Sequence, residues 1–245
     1  MTVLILALVL IAIPVGVEWS RTRVATKRKA GVPGELVDLP TGKTHVLIEG
    51  PEDGPAAVLV HGLTTPAYVY AGIAPQLVRA GFRVIRYDLY GRGLSDKPVG
   101  RQDARFFVDQ LNAVLDHARV ATPYLLVGYS MGGAIVATKA AEEPEDIDGL
   151  VLIAPTGFRR ANMPRLAEVP VIGDWVMWVF GGILLRRRMA GPPDTASVIP
   201  DMAAREGEET RTRGYLPSVL SSIRNLVQQD LSDEHRAIVS SGLPV

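Results

Sequence analysis

Apolar and polar positions along the chain fall into three regimes. Residues 2–17 are apolar apart from Pro14 and Gly16, and are followed by Glu18, Trp19 and the basic residues Arg21, Arg23, Lys27, Arg28 and Lys29. From 35 to 155 short apolar runs alternate with amphipathic stretches. Residues 35–39 and 44–49 read as a hairpin around Pro40 and Gly42. Residues 56–60, 82–88, 125–129 and 149–154 read as buried strands. Residues 71–80, closed by Gly81, and 103–119, with Phe107, Leu111, Val114 and Leu115 at helical spacing, read as helices. A third helix follows residue 130. Strands alternating with helices in this way predict an α/β fold with a mostly parallel sheet covered on both faces. After 155 the rhythm stops.

The first regime predicts a single-pass membrane anchor. An apolar run close to the length a spanning helix needs is followed by an interfacial aromatic, Trp19, and then by basic residues, which place the remainder on the cytoplasmic side. Nothing basic precedes the run and no small-x-small cleavage site follows it, which disfavours a cleaved leader. A leader and a helix packed on the domain remain the weaker alternatives.

Composition excludes more than it selects. Twenty-six basic and twenty-six acidic side chains cancel, so no overall field recruits nucleic acid. There is no cysteine, hence neither disulfide nor thiolate metal site, and the four histidines show no metal-ligand spacing. No metal or cofactor is expected.

The candidate chemistry sits where the strand 125–129 ends. Ser130 is flanked by Gly128 and Gly132, and a helix follows immediately. A strand that bends sharply into a helix forces the residue at the bend into a strained conformation, and small neighbours let the backbone approach closely enough to allow it. The bend lifts the Ser130 hydroxyl above the sheet at a helix N-terminus, whose dipole favours developing negative charge. Alone, a Gly-x-Ser-x-Gly match is moderately specific; the flanking strand and helix strengthen it.

Four motifs occur together and in order: His61-Gly62, the loop from Tyr87 and Asp88 through Gly91, Arg92, Gly93, Ser95 and Asp96, the Gly128-Tyr129-Ser130-Met131-Gly132-Gly133 turn, and Leu150 to Pro155. That combination resembles the α/β-hydrolase fold family in its lipase and esterase-like branch, over residues 35–155. The resemblance implies that Ser130 is the nucleophile and that the Leu63 and Met131 backbone N–H groups form an oxyanion hole. His61, Gly62, Gly128 and Gly132 would support the site. Serine at the bend sets the chain apart from the haloalkane dehalogenase and epoxide hydrolase relatives, which use aspartate there. The implied function is hydrolysis of carboxylic esters, of small molecules or lipids. Carbon–carbon bond hydrolysis and a non-catalytic binding module are the alternatives.

A serine needs a base and an orienting acid, which in this family follow the nucleophile in the chain. No such segment is legible before residues 240–245, which read as the start of a further core strand, so catalysis is expected to be impaired and one sheet edge exposed. His61 belongs to the oxyanion-loop motif. His45 lies on an early strand, and His117 on a helix beside Asp116 and Arg119. His235 follows Asp230 and Asp233, too close to them for an acid and base on separate strand ends. The expected organisation is an anchor at 1–19, a basic linker at 20–34, a core at 35–155, a helical cap at 156–230 and the start of further core at 231–245. Within the cap, 169–185 reads as a helix lining an acyl pocket, with Arg186, Arg187 and Arg188 after it. Residues 201–213 read as a solvated loop.

Overall fold

A computed structural model of the chain describes residues 2–31, 33–158, 169–189 and 199–245. Six strands form one sheet: β1 (Glu35–Leu39), β2 (Gly42–Glu49), β3 (Ala56–Val60), β4 (Arg83–Tyr87), β5 (Tyr124–Tyr129) and β6 (Ile147–Ile153), in the order β1-β2-β4-β3-β5-β6. β1 and β2 are an antiparallel hairpin, β2 pairs antiparallel with β4, and the rest are parallel. The chain steps from β3 outward to β4 and then back across to β5. Side chains and loops at the carboxyl ends of β3 and β5 therefore face a common crevice, the usual place for a ligand in an open α/β sheet.

The apolar runs are unbroken because both sheet faces are covered. Val58, Val60, Ile85 and Leu126 pack into one core with Phe107 and Leu111 of α4 (Ala104–His117) and Ile135 and Val136 of α5 (Met131–Glu142). Leu59, Val84 and Val127 point the other way, onto Tyr70 and onto Ala74 of α3 (Ala74–Arg79). Asp103 caps α4 by accepting from the Phe106 N–H at 3.1 Å. β6 is an edge strand, with Val151 42% exposed and the Leu150 N–H donating to the Pro244 carbonyl at 2.9 Å.

Above this crevice lie α6 (Ile172–Met189), α7 (Met202–Glu209), α8 (Tyr215–Ser222) and a π-helical turn at Ile223–Val227, before α9 (Ser232–Ser241) packs back on α5. Residues 159–168 and 190–198 of the expected cap lie outside the described residues. The charge-rich stretch from 201 is a helix rather than a solvated loop. Its Glu206 and Glu209 are buried, one helical turn apart.

The N-terminal expectation needs correction. Residues 2–20 form α1 (Thr2–Ser20) and α2 (Val24–Arg28) follows, but among the described residues no helix is long and apolar enough to cross a membrane. The single-pass anchor, the membrane as partner and the cytoplasmic placement derived from it fall together. The physical reason is visible in the contacts. α1 packs along α6, the Trp175 Nε1–H donates to the Leu10 carbonyl at 2.7 Å, and Pro14 and Glu18 are buried. The Glu18 carboxylate accepts from Arg21 and from the Gly214 N–H. Three members of the basic cluster are likewise engaged internally: Arg21 with Glu18, Lys27 with Glu209 at 2.7 Å, and Arg28 with Asp96 at 2.7 Å and with the Leu94 carbonyl. Trp19, the expected interfacial residue, lies beneath the Arg213 guanidinium at 5.2 Å.

Candidate active site

Ser130 sits between the last residue of β5 and the first of α5 with φ 53° and ψ −116°. A non-glycine residue rarely adopts that conformation, which costs of order 1–3 kcal/mol and persists only where surrounding structure enforces it. The enforcement is a set of backbone bonds. The Ser130 N–H donates to the Ile153 carbonyl at 2.9 Å, and the Ser130 carbonyl accepts from Gly133 and Thr156 at 2.9 and 3.1 Å. The glycines supply the room. A Cβ on Gly132 would lie 2.0 Å from the Val60 carbonyl oxygen, one on Gly128 2.6 Å from the Gly132 oxygen, and one on Gly133 2.6 Å from Pro155 Cβ. Ser130 is half-buried, and among the described residues its Oγ makes no hydrogen bond.

Across the crevice, the loop leaving β3 brings Gly62 against the nucleophile candidate, where an added Cβ would stand 3.2 Å from Ser130 Cβ. Leu63 follows it, and Met131 opens α5 beside Ser130. Two buried groups hold this loop from behind. Arg92, fully buried, donates Nε–H to the Leu63 carbonyl at 3.0 Å, Nη1 to the Tyr90 carbonyl and Gln102 Oε1 at 2.9 Å each, and Nη2 to Ser222 Oγ at 2.8 Å. Burial lowers its pKa to about 10, so it remains a cation at neutral pH. Tyr215, on α8, donates its hydroxyl to the Thr64 carbonyl at 3.2 Å. The carbonyls of two successive loop residues are thus fixed, one by the loop after β4 and one by the cap.

None of the four histidines hydrogen-bonds to Ser130. His61 is buried, accepting from the Leu89 N–H at Nε2 (2.8 Å) with Nδ1 on the Gly62 carbonyl; burial lowers its pKa to about 4. It is a neutral brace for the loop after β3. His117 pairs with Glu35 at the surface. His235 stacks on Phe158 at 4.2 Å with Nε2 buried and unpartnered, and burial lowers its pKa. Asp230 instead accepts from Ser232, and Asp233 pairs with Arg236. The structure thus places the nucleophile candidate and the loop after β3 together but gives Ser130 no base among these four.

His45 has a different role. Its Nδ1 meets Asp88 Oδ2 at 2.9 Å, and Asp88 also accepts the N–H groups of Ala67 (2.9 Å) and Leu94 (2.9 Å). Burial alone would raise the Asp88 pKa, but the His45 hydrogen bond and charge outweigh it and hold it low. Burial would lower the His45 pKa, but the same pairing outweighs it and raises it. The depressed carboxylate stabilises the fold above its unfolded pKa of about 3.9 and loses that contribution as pH falls through the lower folded value. The raised imidazole contributes fully below about 6.5 and loses it as pH rises through its higher folded value. The stability lost in His45→Gln is therefore expected to be larger at pH 5.5 than at pH 8.5. Urea melts at the two values test it, and equal losses would refute the pairing.

Glu209 is the functional-site residue that sequence reasoning missed. From α7 its carboxylate accepts the Gly93 N–H at 2.8 Å and Lys27 at 2.7 Å, joining the cap to the loop that carries Arg92. Its spacing with Glu206 was the available signal. A cavity of about 660 Å³ lies elsewhere, bordered by the α1–α2 junction, the loop at 97–102 and the cap, and neither Ser130 nor Leu63 lines it. No group of acidic or histidine side chains able to hold a metal occurs among the described residues.

The family model described as serine aminopeptidase, S33, matches residues 53–234. A haloalkane dehalogenase of Mycobacterium marinum is 37% identical over 123 residues, 49% of this chain and 40% of that protein, so the chain spans less than half the length of such curated relatives. Among solved structures, the enol-lactonase from Burkholderia xenovorans superposes with a TM-score of 0.70 at 21% identity, covering 83% of this chain and 77% of that one. A carboxylesterase structure from Nitrososphaera gargenis gives 0.66 at 18% identity, covering 85% and 77%. At such identities the structural likeness speaks to fold.

Proposed function

The chain belongs to the α/β-hydrolase fold family, through its match to the serine aminopeptidase S33 model, and on that premise we propose that it is a serine hydrolase of carboxylic esters with Ser130 as nucleophile. The observation that carries this reading is the positive φ of Ser130 at the bend between β5 and α5, with a hydroxyl that no described residue occupies. In the proposed reaction Ser130 Oγ bonds to the ester carbonyl carbon as its proton passes to solvent water, no histidine being within reach. The resulting oxyanion takes hydrogen bonds from the Leu63 and Met131 N–H groups. Collapse breaks the ester C–O bond, the alcohol leaves protonated, and water hydrolyses the acyl-serine. A small-molecule ester fits this scheme, and so does a lipid ester whose acyl chain lies under the cap.

Since none of the four histidines reaches Ser130 in this structure, turnover by this chain is expected to be weak. Oxyanion stabilisation and binding alone leave roughly 10³-fold acceleration over water when triad members are missing. The same observation favours a second reading, a non-catalytic binding module that keeps the bend for structural reasons. A fluorophosphonate probe separates the two. Labelling of the full chain that disappears in Ser130→Ala is the expected result. A folded protein that takes no label points to the binding module. Parallel assays with p-nitrophenyl butyrate and an aminoacyl p-nitroanilide test the ester preference; faster cleavage of the anilide would overturn it.

A further inference from the structure

The cavity at the α1–α2 junction has walls from three parts of the chain, and neither Ser130 nor Leu63 lines it. Arg23 and Val24 come from the N-terminal segment, Lys97 and Val99 from the loop after β4, and Trp178 and Arg213 from the cap region. Its volume of about 660 Å³ is that of a small-molecule site. Its hydrogen-bonding capacity is lopsided. The two carboxylates on its wall are already engaged, Glu18 by Arg21 and the Gly214 N–H, Asp174 by Arg224 and the Val171 N–H. The donors are not all spent. Among the described residues Arg213 Nε and Trp178 Nε1 are buried without an acceptor, and Lys97 donates to the Gly93 and Ser95 carbonyls at 3.1 and 3.2 Å with the Glu209 charge nearby. The remaining wall is largely apolar, including Val24, Pro98, Val99 and Pro217. A half-open space with surplus cations and donors, committed acids and a largely apolar lining complements a molecule with one anionic end and a hydrocarbon body.

We propose that this cavity is a ligand site separate from Ser130, and that it takes an organic carboxylate with an aliphatic body. The carboxylate lies among Arg23, Lys97 and Arg213, and the chain runs along Val24, Pro98 and Pro217. Inorganic phosphate lacks the apolar part, and an alcohol of equal length lacks the charge, so neither satisfies both halves of the site.

Titration calorimetry of the full chain with sodium octanoate, followed in parallel by tryptophan fluorescence because Trp178 lines the wall, tests this directly. Saturable binding is expected. Arg23→Ala, at an exposed position where folding is not at stake, and Lys97→Met should each weaken it about tenfold or more. Ser130→Ala should leave it unchanged. Absence of saturable binding overturns the proposal, as does equal affinity for 1-octanol, equal displacement by phosphate, or insensitivity to both cation variants. Loss of binding in Ser130→Ala would relocate the ligand to the crevice and also overturn it. Because the readout is binding, it stands or falls independently of whether Ser130 is a nucleophile.

Discussion

Arg92→Met is expected to lower the unfolding free energy by about 3 kcal/mol and to slow fluorophosphonate labelling of Ser130 beyond what partial unfolding explains. The wild-type guanidinium makes four hydrogen bonds from a fully buried position and meets no carboxylate directly. Its loss returns some desolvation cost, since burying a cation is expensive. It also leaves the carbonyls of Leu63 and Tyr90 without that donor in the interior, each costing roughly 1–3 kcal/mol. The second effect wins because several acceptors depend on one donor. The catalytic consequence follows from the Leu63 carbonyl: the peptide that carries it adjoins the N–H proposed to face the oxyanion. Labelling at saturating probe, at a temperature where the variant is folded, reads that orientation, while the denaturation midpoint reads stability. A variant with wild-type values in both would remove Arg92 from the account of the site.

Gly132→Ala should be at least as damaging, against the direction of helix propensity. Glycine in a helix interior costs about 1 kcal/mol relative to alanine, so propensity alone favours the change. The space decides otherwise. The new Cβ would lie 2.0 Å from the Val60 oxygen and 2.6 Å from the His61 oxygen, both backbone atoms at the end of β3. Separating α5 from β3 opens the crevice between Ser130 and the loop after β3, with an overpacking cost of about 1–3 kcal/mol or more. Gly16→Ala in α1 is the matched control, because nothing lies within 4 Å of its added Cβ. A thermal melt should rank Gly16→Ala above wild type and Gly132→Ala well below it. The opposite order at 132 would mean that the helix can shift without penalty.

What could be read from the sequence was local. The bend at Ser130 is written in seven consecutive residues, and the buried strands in runs such as Ala57 to Val60, whose burial on both faces matches their unbroken apolarity. What escaped was set by distant partners. Glu209 looks like one charge among several until α7 places it on Gly93, 116 positions away. His45 gives no hint of Asp88 because adjacent strands bring them together. The N-terminal run was misread because an apolar stretch with a basic flank has the same appearance whether lipid or a cap helix receives it. Glu18 was the discordant residue; its carboxylate needs donors, and it finds them on Arg21 and Gly214.

The way the first thirty residues are fastened has a consequence for motion. α1 lies along α6, Thr22 bridges to Thr212, Lys27 reaches Glu209, and Arg28 reaches Leu94 and Asp96. One short stretch of chain is therefore stitched at once to the roof of the crevice and to the rim below it. A swing of the roof away from the sheet would have to break the Arg28 fastening or stretch the few residues between it and Thr22. The segment thus behaves as a tether across a hinge, limiting how widely the crevice can gape.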